Sequence, residues 1–309
     1  MPHIKNIAVI GAGLMGHGIA QVFAMYGYSV MLMDLKKEIL SKAVERIRSN
    51  LTLMAERGIG SRNDIGPAMA KIKTTVNLNE AASGAHFVVE AVLEDLGLKQ
   101  KILKDLDSIS SPETILATNT SVISITEIAE KSKGRERILG THFWNPPYLI
   151  PLVEVVRGQD TSDAAMDATF QLLNHVGKHP VRVNKDVPGF VGNRLQHALW
   201  REAISIVEHG IADPATVDEC VKFGFGLRLP ILGPLENADM VGTDLTLAIH
   251  DYLLKYLESS PEASPLLKKK VEKGDLGFKS GQGFQEWTPE KAQRSRARLQ
   301  EYLLKVTQI

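Results

Sequence analysis

The chain has 309 residues, of which 44% are hydrophobic and 23% are charged, a composition typical of a globular protein with two domains. Its 36 basic and 36 acidic residues cancel, so no overall field draws it to nucleic acid or to an anionic membrane. The single cysteine excludes an internal disulfide and a cysteine-based zinc site within one chain. We therefore expect no nucleic-acid or membrane partner and a reducing, cytoplasmic location.

The first half alternates short apolar runs with amphipathic helical segments, a pattern typical of a parallel sheet covered by helices. A helix ending at Gly27 separates the first two strands, and a longer helix over 39–54 precedes a loop over 58–67. The uncharged stretch 6–33 is long enough to span a bilayer, but its five glycines favour a buried position in the protein. Strands are predicted at 7–10, 30–33, 87–89, 115–117, 138–140, 142–144, 152–156 and 181–183.

The pattern becomes almost wholly helical beyond a linker candidate at 186–189, where proline and glycine occur together. Asp213 and Thr288 each precede a proline, which predicts a helix N-cap followed by proline at the first helical position. We therefore predict an α/β domain over residues 1–186 and an all-α domain over residues 187–309. Cys220, on a predicted helix, is interpreted as a small buried hydrophobic side chain.

A glycine-rich loop joins the first predicted strand to the first predicted helix. Gly11, Gly13 and Gly16 fit the pattern G-x-G-x-x-G, and Asp34 closes the next strand. Such glycines permit a tight turn and let the backbone approach a pyrophosphate at the helix N-terminus. The alternative is an ordinary glycine turn, but the placement favours a Rossmann-type doubly wound sheet that binds a dinucleotide.

Asp34 also bears on which dinucleotide binds. Its carboxylate would accept hydrogen bonds from the adenosine ribose and repel a 2′-phosphate, so NAD is favoured over NADP. FAD uses a similar glycine pattern, but the residues described next favour a nicotinamide cofactor.

Polar residues follow the carboxyl ends of three further predicted strands, which is where ligands bind in open parallel sheets. Because Asn, Thr and Ser are also common at helix N-termini, the group at 119–121 is by itself more simply interpreted as a helix cap. These polar residues are Glu94, Lys99, Asn119, Thr120, Ser121, His142 and Asn145.

His142 and Glu154 interrupt two apolar stretches on either side of one loop. Both lie at the same distance along the chain from Tyr148, so an antiparallel pair of strands folding there would bring them face to face. A carboxylate beside a histidine fixes the imidazole tautomer and stabilises the imidazolium, which suits a general base acting on an alcohol. A structural His–Glu hydrogen bond is the alternative, and no spacing indicates the third ligand of a metal site.

With these residues identified, the chain resembles the L-3-hydroxyacyl-CoA dehydrogenase family, including relatives that act without CoA. The resemblance implies an NAD-dependent oxidoreductase acting on CH–OH, with a place in fatty acid metabolism. It also implies a homodimer formed by the helical domain, with the site in the cleft between the two domains. The matching segments are 11–16, 90–99, 119–121, 140–147, 152–155, 188–195, 233–236 and 277–284.

The resemblance implies a role for each matching residue. His142 corresponds to the catalytic base and Glu154 to the carboxylate that orients it. Ser121 corresponds to the serine that holds the reacting oxygen, and Asn193 to an asparagine that closes over the substrate. The cofactor contacts that it implies are Gly11, Gly13, Leu14, Met15, Gly16, Asp34, Glu94, Lys99, Asn119, Asn145 and Lys279.

The substrate positions depart from the pattern of the CoA-handling members. Asn50 and Arg57 stand where those members have a serine and a lysine, so the positive charge is kept and the hydrogen bonding changes. The stretch 226–234 resembles carnitine, gulonate and pyridine-carboxylate dehydrogenases, and Arg228 within it is a candidate partner for a substrate carboxylate. A surface or interface arginine is the alternative for Arg228.

Two further residues depart from the pattern of the CoA-type members. Trp144 and Gly192 stand where CoA-type members commonly have phenylalanine and a larger apolar residue.

The leading hypothesis is NAD-linked interconversion of an L-3-hydroxyacyl-CoA and its 3-ketoacyl-CoA. The alternative is the same chemistry on a small free hydroxy acid. A non-catalytic, crystallin-like NAD-binding protein is the third, and the intact set of candidate catalytic residues argues against it.

Overall fold

The computed structural model describes residues 4–306. They form two compact units, one of residues 4–193 with 300–306 and one of residues 194–299. The strands are β1 (Asn6–Ile10), β2 (Ser29–Met33), β3 (Ile72–Thr75), β4 (Phe87–Glu90), β5 (Ile115–Thr118), β6 (Ile138–Phe143), β7 (Leu152–Val156) and β8 (His179–Val183). The α-helices are α1 (Gly16–Met25), α2 (Lys37–Glu56), α3 (Arg62–Ala70), α4 (Leu78–Ala82), α5 (Leu96–Ile109), α6 (Ile125–Ala129), α7 (Asp163–His175), α8 (Gly192–Glu208), α9 (Pro214–Phe223), α10 (Pro234–Val241), α11 (Thr243–Leu253), α12 (Pro265–Glu272) and α13 (Pro289–Val306).

All eight strands form one sheet in the order β3-β2-β1-β4-β5-β6-β7-β8. The strands from β3 to β6 pair in parallel, β7 runs antiparallel to β6, and β8 is parallel to β7. The chain order reverses between β1 and β4, the switch point at which such sheets bind ligands. The predicted Rossmann-type doubly wound sheet is confirmed.

The sheet has an apolar core on each face, because successive side chains of a strand point to opposite sides. In β1, Ile7 and Val9 join one core while Ala8 and Ile10 join the other. The first core includes side chains of α1, α2 and α7, and the second those of α4, α5 and α6. Covering both faces explains why the central strands are uninterrupted apolar runs.

Helix α3 and strand β3 were missed in the sequence, and the two strands predicted at 138–140 and 142–144 are one strand, β6, because the backbone pairing continues through residue 141. The predicted loop over 58–67 gives way to α3, which the side chains of Ser61 and Asp64 begin with a capping box. Pro67 lies within this helix, and this proline favoured a loop in the sequence. The edge strand β3 was missed because Lys73 and Thr74 are exposed, so it shows no apolar run.

The last turn of α13 belongs to the first unit. Leu304 is buried with Met54 and Leu149, and Leu303 and Tyr148 pack against the same cluster. The C-terminal segment therefore packs on the end of α2 and on the loop that joins β6 to β7.

The second unit is helical, as predicted. Cys220 is exposed, so its predicted burial is wrong. The physical reason is that α9, which carries it, has no buried residue. The compact units divide after residue 193, whereas the sequence predicts a domain boundary between 186 and 187. Among residues 4–306, no helix is both long and apolar enough to cross a membrane.

Candidate active site

The glycine loop after β1 needs glycine at two positions for steric reasons. Gly11 has a φ of 101°, and a Cβ there would lie 2.6 Å from the carbonyl oxygen of Ala91. A Cβ on Gly16 would lie 1.7 Å from the carbonyl oxygen of Gly11. The tight turn and the close start of α1 therefore exclude side chains at both positions.

The same loop is open where a cofactor phosphate would approach. A Cβ built on Gly13 has no neighbouring atom within 4 Å, and Leu14 is 63% exposed. Across the described part of the chain, the backbone N–H groups of Leu14 and Met15 find no protein acceptor. Unpaired amides at a helix N-terminus attract phosphate, so this loop fits the predicted NAD.

Asp34 follows β2 directly and contacts the glycine loop. Its Oδ2 accepts a hydrogen bond of 2.8 Å from the amide of Ala12, and its Oδ1 accepts one of 2.7 Å from the amide of Leu35. The carboxylate is therefore fixed beside the loop and stays partly exposed, as a ribose contact requires.

His142 and Glu154 face each other across β6 and β7, as the sequence predicted. They are direct partners in the antiparallel register, and His142 Nδ1 lies 2.8 Å from Glu154 Oε2. His142 is 5% exposed and Glu154 is 1% exposed. No other hydrogen bond to the His142 ring is found within residues 4–306, so its Nε2 is available to another partner.

The backbone at the start of α8 holds Glu154 in its ionised form. Its Oε1 accepts hydrogen bonds of 2.9 and 3.0 Å from the amides of Val191 and Gly192. Burial raises the pKa of Glu154, but the hydrogen bonds from His142 and from these two amides outweigh it and hold that pKa below the usual range. The two amides were missed by the sequence, because a backbone donor carries no residue signature.

Ser121 is held from two directions through its backbone. Its amide donates a hydrogen bond of 2.8 Å to Glu94 Oε1, and its carbonyl accepts one of 2.9 Å from Asn193 Nδ2. Asn119 links this loop to β6, because its Oδ1 accepts a hydrogen bond of 3.0 Å from the amide of Phe143, next to His142. Glu94, Ser121 and Asn193 are therefore in direct contact, and Asn119 contacts the residue next to His142.

A buried ion pair contacts Glu94, the residue that binds the loop at Ser121. Lys99 Nζ lies 2.9 Å from Glu90 Oε1 and 3.3 Å from Glu94 Oε2, and Lys99 and Glu90 are 1% and 0% exposed. Burial raises the pKa of Glu94. The hydrogen bonds from Thr120 and from the Ser121 amide, together with the charge of Lys99, outweigh burial and hold that pKa below its usual range. The cofactor contact that the resemblance implies for Lys99 stays a prediction, and what the structure describes is this ion pair.

Glu90 was missed as a site residue, although the sequence carried a signal. It ends the otherwise apolar strand β4, and it also accepts a hydrogen bond of 2.6 Å from Thr118 on β5. A charged residue at the end of an apolar strand is buried only when it is paired, which is the case here.

The remaining predicted residues lie in different surroundings. Asn145 is exposed in the turn after β6, and Arg57 is exposed at the end of α2. Asn50 donates a hydrogen bond of 3.0 Å to Gln21 Oε1. Arg228 and Lys279 are exposed residues of the second unit. Their roles in binding stay predictions.

Comparison with known families accounts for both parts of the chain. The family model of the 3-hydroxyacyl-CoA dehydrogenase NAD-binding domain matches residues 6–187, and the model of the C-terminal domain of the same enzymes matches residues 189–287. The chain belongs to the 3-hydroxyacyl-CoA dehydrogenase family. It is therefore an NAD-dependent oxidoreductase acting on CH–OH, as the resemblance implied.

Relatives of the chain include members with and without CoA in their names. It is 35% identical to 5-formyl-3-hydroxy-2-methylpyridine 4-carboxylate 5-dehydrogenase of Mesorhizobium japonicum, over 99% of this chain and 98% of the relative. It is 40% identical to a probable 3-hydroxybutyryl-CoA dehydrogenase of Bacillus subtilis, over 92% of this chain and 98% of the relative. A crystal structure of the pyridine-carboxylate enzyme, described as an NAD⁺-dependent dismutase, superimposes with a TM-score of 0.91 at 33% identity, over 98% of this chain and 97% of the other.

Proposed function

We propose that this enzyme interconverts an L-3-hydroxyacyl-CoA and its 3-ketoacyl-CoA with NAD as the cofactor. The observation that carries the proposal is the buried pair of His142 and Glu154, joined at 2.8 Å, in a chain of this family. A neutral imidazole with one nitrogen bonded to a carboxylate accepts a proton at the other nitrogen.

The proton balance follows from this pair. In the oxidation direction, the substrate hydroxyl gives its proton to His142 Nε2 as the C–H bond of the same carbon breaks. Bound NAD supplies the acceptor for the hydride. The carboxylate of Glu154 stabilises the positive charge that forms on the imidazole, because the low pKa of Glu154 keeps this carboxylate ionised. Reduction of the ketone runs the same steps backwards.

Ser121 and Asn193 serve to position the reacting oxygen. The hydrogen bonds to its amide and carbonyl fix the Ser121 backbone, so the hydroxyl is presented from a rigid loop. A donor held in place before the reaction lowers the barrier, because no reorganisation is needed at the transition state.

The proposal is tested by NADH consumption with acetoacetyl-CoA. We expect turnover that requires His142 and is faster with NADH than with NADPH, since Asp34 disfavours a 2′-phosphate. Absence of turnover with acetoacetyl-CoA, together with NAD reduction by free hydroxy acids, would overturn the CoA assignment. Faster turnover with NADPH would contradict the role given to Asp34.

A free hydroxy acid without CoA is the second candidate substrate. It is favoured by the end-to-end match to the pyridine-carboxylate dehydrogenase, which extends over α13, whereas the family models end at residue 287. The Asn50 amide, at a position implied in CoA contact, is also bonded to Gln21. Carnitine, gulonate and aromatic hydroxy acids, each assayed by NAD reduction, distinguish this candidate from the first.

Arg228 and Arg57 bear on the choice between the two candidates. If Arg228 pairs with a substrate carboxylate, the R228A variant will raise KM for the accepted acid. An unchanged KM for every accepted acid would remove Arg228 from the substrate site. R57A is the corresponding test for CoA substrates, where a raised KM for acetoacetyl-CoA is expected.

The assembly and the location are part of the same proposal. A homodimer is supported by the exposed apolar side chains of the helical unit, and a cytoplasmic location by the single cysteine. A non-catalytic, crystallin-like role would require that no alcohol or ketone is turned over.

A further inference from the structure

Trp144 lies beside the proposed base. It follows β6 directly and is two residues from His142, so both side chains leave the chain on the same side. The indole and imidazole ring centroids are 5.1 Å apart with the planes inclined at 47°. Trp144 is half-buried, so part of the indole beside the imidazole is reached by solvent.

Gly192 makes room for this indole. A Cβ at position 192 would lie 2.5 Å from Trp144 Cζ2 and 3.3 Å from Trp144 Cε2. The backbone of Gly192 is outside the left-handed region, so its conformation alone does not require glycine. The need for glycine therefore comes from the space that the indole occupies.

We infer that Trp144 and Gly192 act as a pair that limits the size of the substituent on the reacting carbon. This inference rests on the proposed function, since it takes His142 as the base. A substrate whose hydroxyl reaches His142 Nε2 must place its carbon close to the imidazole, and the indole centroid lies 5.1 Å from the centroid of that ring. Compact or flat substituents fit there, and a long flexible chain meets the indole.

Replacing Trp144 by phenylalanine is a clean way to enlarge this space. The indole Nε1 is buried and has no hydrogen-bond partner within the described residues, so the W144F variant loses no hydrogen bond. It replaces the indole, whose Cζ2 a Cβ at position 192 would meet, by a smaller ring. We expect W144F to fold with nearly the same Tm as the unmodified enzyme.

The test compares a short and a long substrate in the same assay. Acetoacetyl-CoA and 3-ketodecanoyl-CoA form one pair, and acetoacetate and 3-oxodecanoate form a second pair for the case of free acids. We expect W144F to raise the ratio of kcat/KM for long over short by about 10-fold or more. The W200F variant is the matched control, because Trp200 also packs on a histidine, at 4.9 Å from His197, but on the exposed part of α8.

A double-mutant cycle tests the pairing itself. We expect G192A to lower the Tm and kcat/KM of the unmodified enzyme, and to cost much less when W144F is already present. If the Tm changes of G192A and W144F add in the double variant, the two residues do not act as a pair. This result can be obtained even if the protein shows no measurable turnover. Equal changes for short and long substrates in W144F would overturn the size limit.

These results separate the inference from the proposed function. If the unmodified enzyme turns over neither substrate pair, the proposed function fails, and the Tm cycle still decides whether the two residues form a pair. If it turns over a substrate and W144F leaves the ratio unchanged, the size limit alone is wrong.

Discussion

The two ring nitrogens of His142 differ in their surroundings, since Nδ1 is bonded to Glu154 and no partner of Nε2 is found among residues 4–306, and this difference defines the proposed chemistry. Nδ1 is bonded to Glu154 at 2.8 Å, which leaves Nε2 to exchange a proton with the substrate. The neighbouring rings of Trp144 and Phe190, at centroid distances of 5.1 and 5.9 Å, restrict how the imidazole can rotate. A base with a fixed tautomer and a fixed ring plane is ready before the substrate arrives.

Removal of the imidazole should therefore affect turnover and leave cofactor binding intact. We expect H142A to lower kcat by roughly 10²–10⁴, because general-base catalysis contributes that much. The Kd for NAD, measured by titration calorimetry, should change little, since the glycine loop and Asp34 are untouched. The matched control is H86A, which replaces an exposed histidine before β4. Full retained turnover in H142A would show that another group is the base.

Glu154 makes the stability of the enzyme depend on pH on the acidic side. Its pKa in the folded protein lies below the usual range, so folding favours the ionised form. This contribution is fully present above the unfolded pKa of about 4.3 and is lost as the pH falls through the lower folded pKa.

We predict that the free energy of unfolding falls less steeply in E154Q than in the unmodified enzyme as the pH is lowered below about 4.3. Denaturant unfolding at a series of pH values measures it. E38Q is the control, because Glu38 is exposed in the first turn of α2. Parallel pH profiles for E154Q and the unmodified enzyme would contradict this prediction.

The sequence predicted the central pair of the site and missed what holds it. The pairing of His142 with Glu154 follows from their equal spacing around one turn, since register fixes which side chains meet. The amides of Val191 and Gly192, in contrast, reach Glu154 from a segment 37 and 38 residues away along the chain. No pattern of residue types encodes such a contact, because every residue except proline has the same donor.

At the scale of elements, the loops after β4 and β5 are joined through a buried ion pair. Lys99 on α5 contacts Glu90 at the end of β4, and Glu90 also accepts a hydrogen bond from Thr118 at the end of β5. Without the lysine, the carboxylate of Glu90 would be a buried charge with no countercharge in contact. Removing one partner of such a pair costs about 3–5 kcal/mol.

We predict that K99M lowers the free energy of unfolding by about 3 kcal/mol, on the scale of broken buried ion pairs. The matched control is K101M, on the same helix but exposed, which should stay within about 0.5 kcal/mol of the unmodified enzyme. Urea denaturation followed by circular dichroism measures both. Equal effects of the two variants would show that the ion pair does not stabilise this region.

Elements with a clear apolar pattern were predicted, and those without it were not. The strand β4 is buried along its whole length, so burial on both faces is visible as an apolar run. The edge strand β3 is covered less, and its polar residues hid it. Helix α3 depends on a capping box at Ser61, a local hydrogen-bond pattern that Pro67 obscured in the sequence.

At the scale of the whole molecule, the helical unit has many large apolar side chains on its surface. Exposed apolar area of this extent marks an interaction surface in soluble proteins. The most exposed of them are Ile211, Phe223, Leu227, Ile231, Leu235, Met240, Leu247, Tyr252 and Tyr256.

We predict a homodimer that sediments at twice the chain mass of 33.9 kDa. Leu245 and Ile249 lie one turn apart on α11 and are 51% and 45% exposed, so the L245D/I249D double variant should weaken the dimer. V76D, at an exposed valine of the first unit, is the control. Sedimentation of the unmodified enzyme at the mass of one chain would refute the prediction.

The two backbone amides that bind Glu154 have a consequence for sequence drift. Any residue except proline at position 191 keeps its N–H donor, whereas position 192 can gain a side chain only if Trp144 becomes smaller, so the two positions tolerate change to different degrees although both hold Glu154 through the backbone. Selectivity and proton handling are thus separable in this scaffold. Directed evolution toward new alcohols can therefore vary position 191, with proline kept out, and should vary position 192 only together with Trp144.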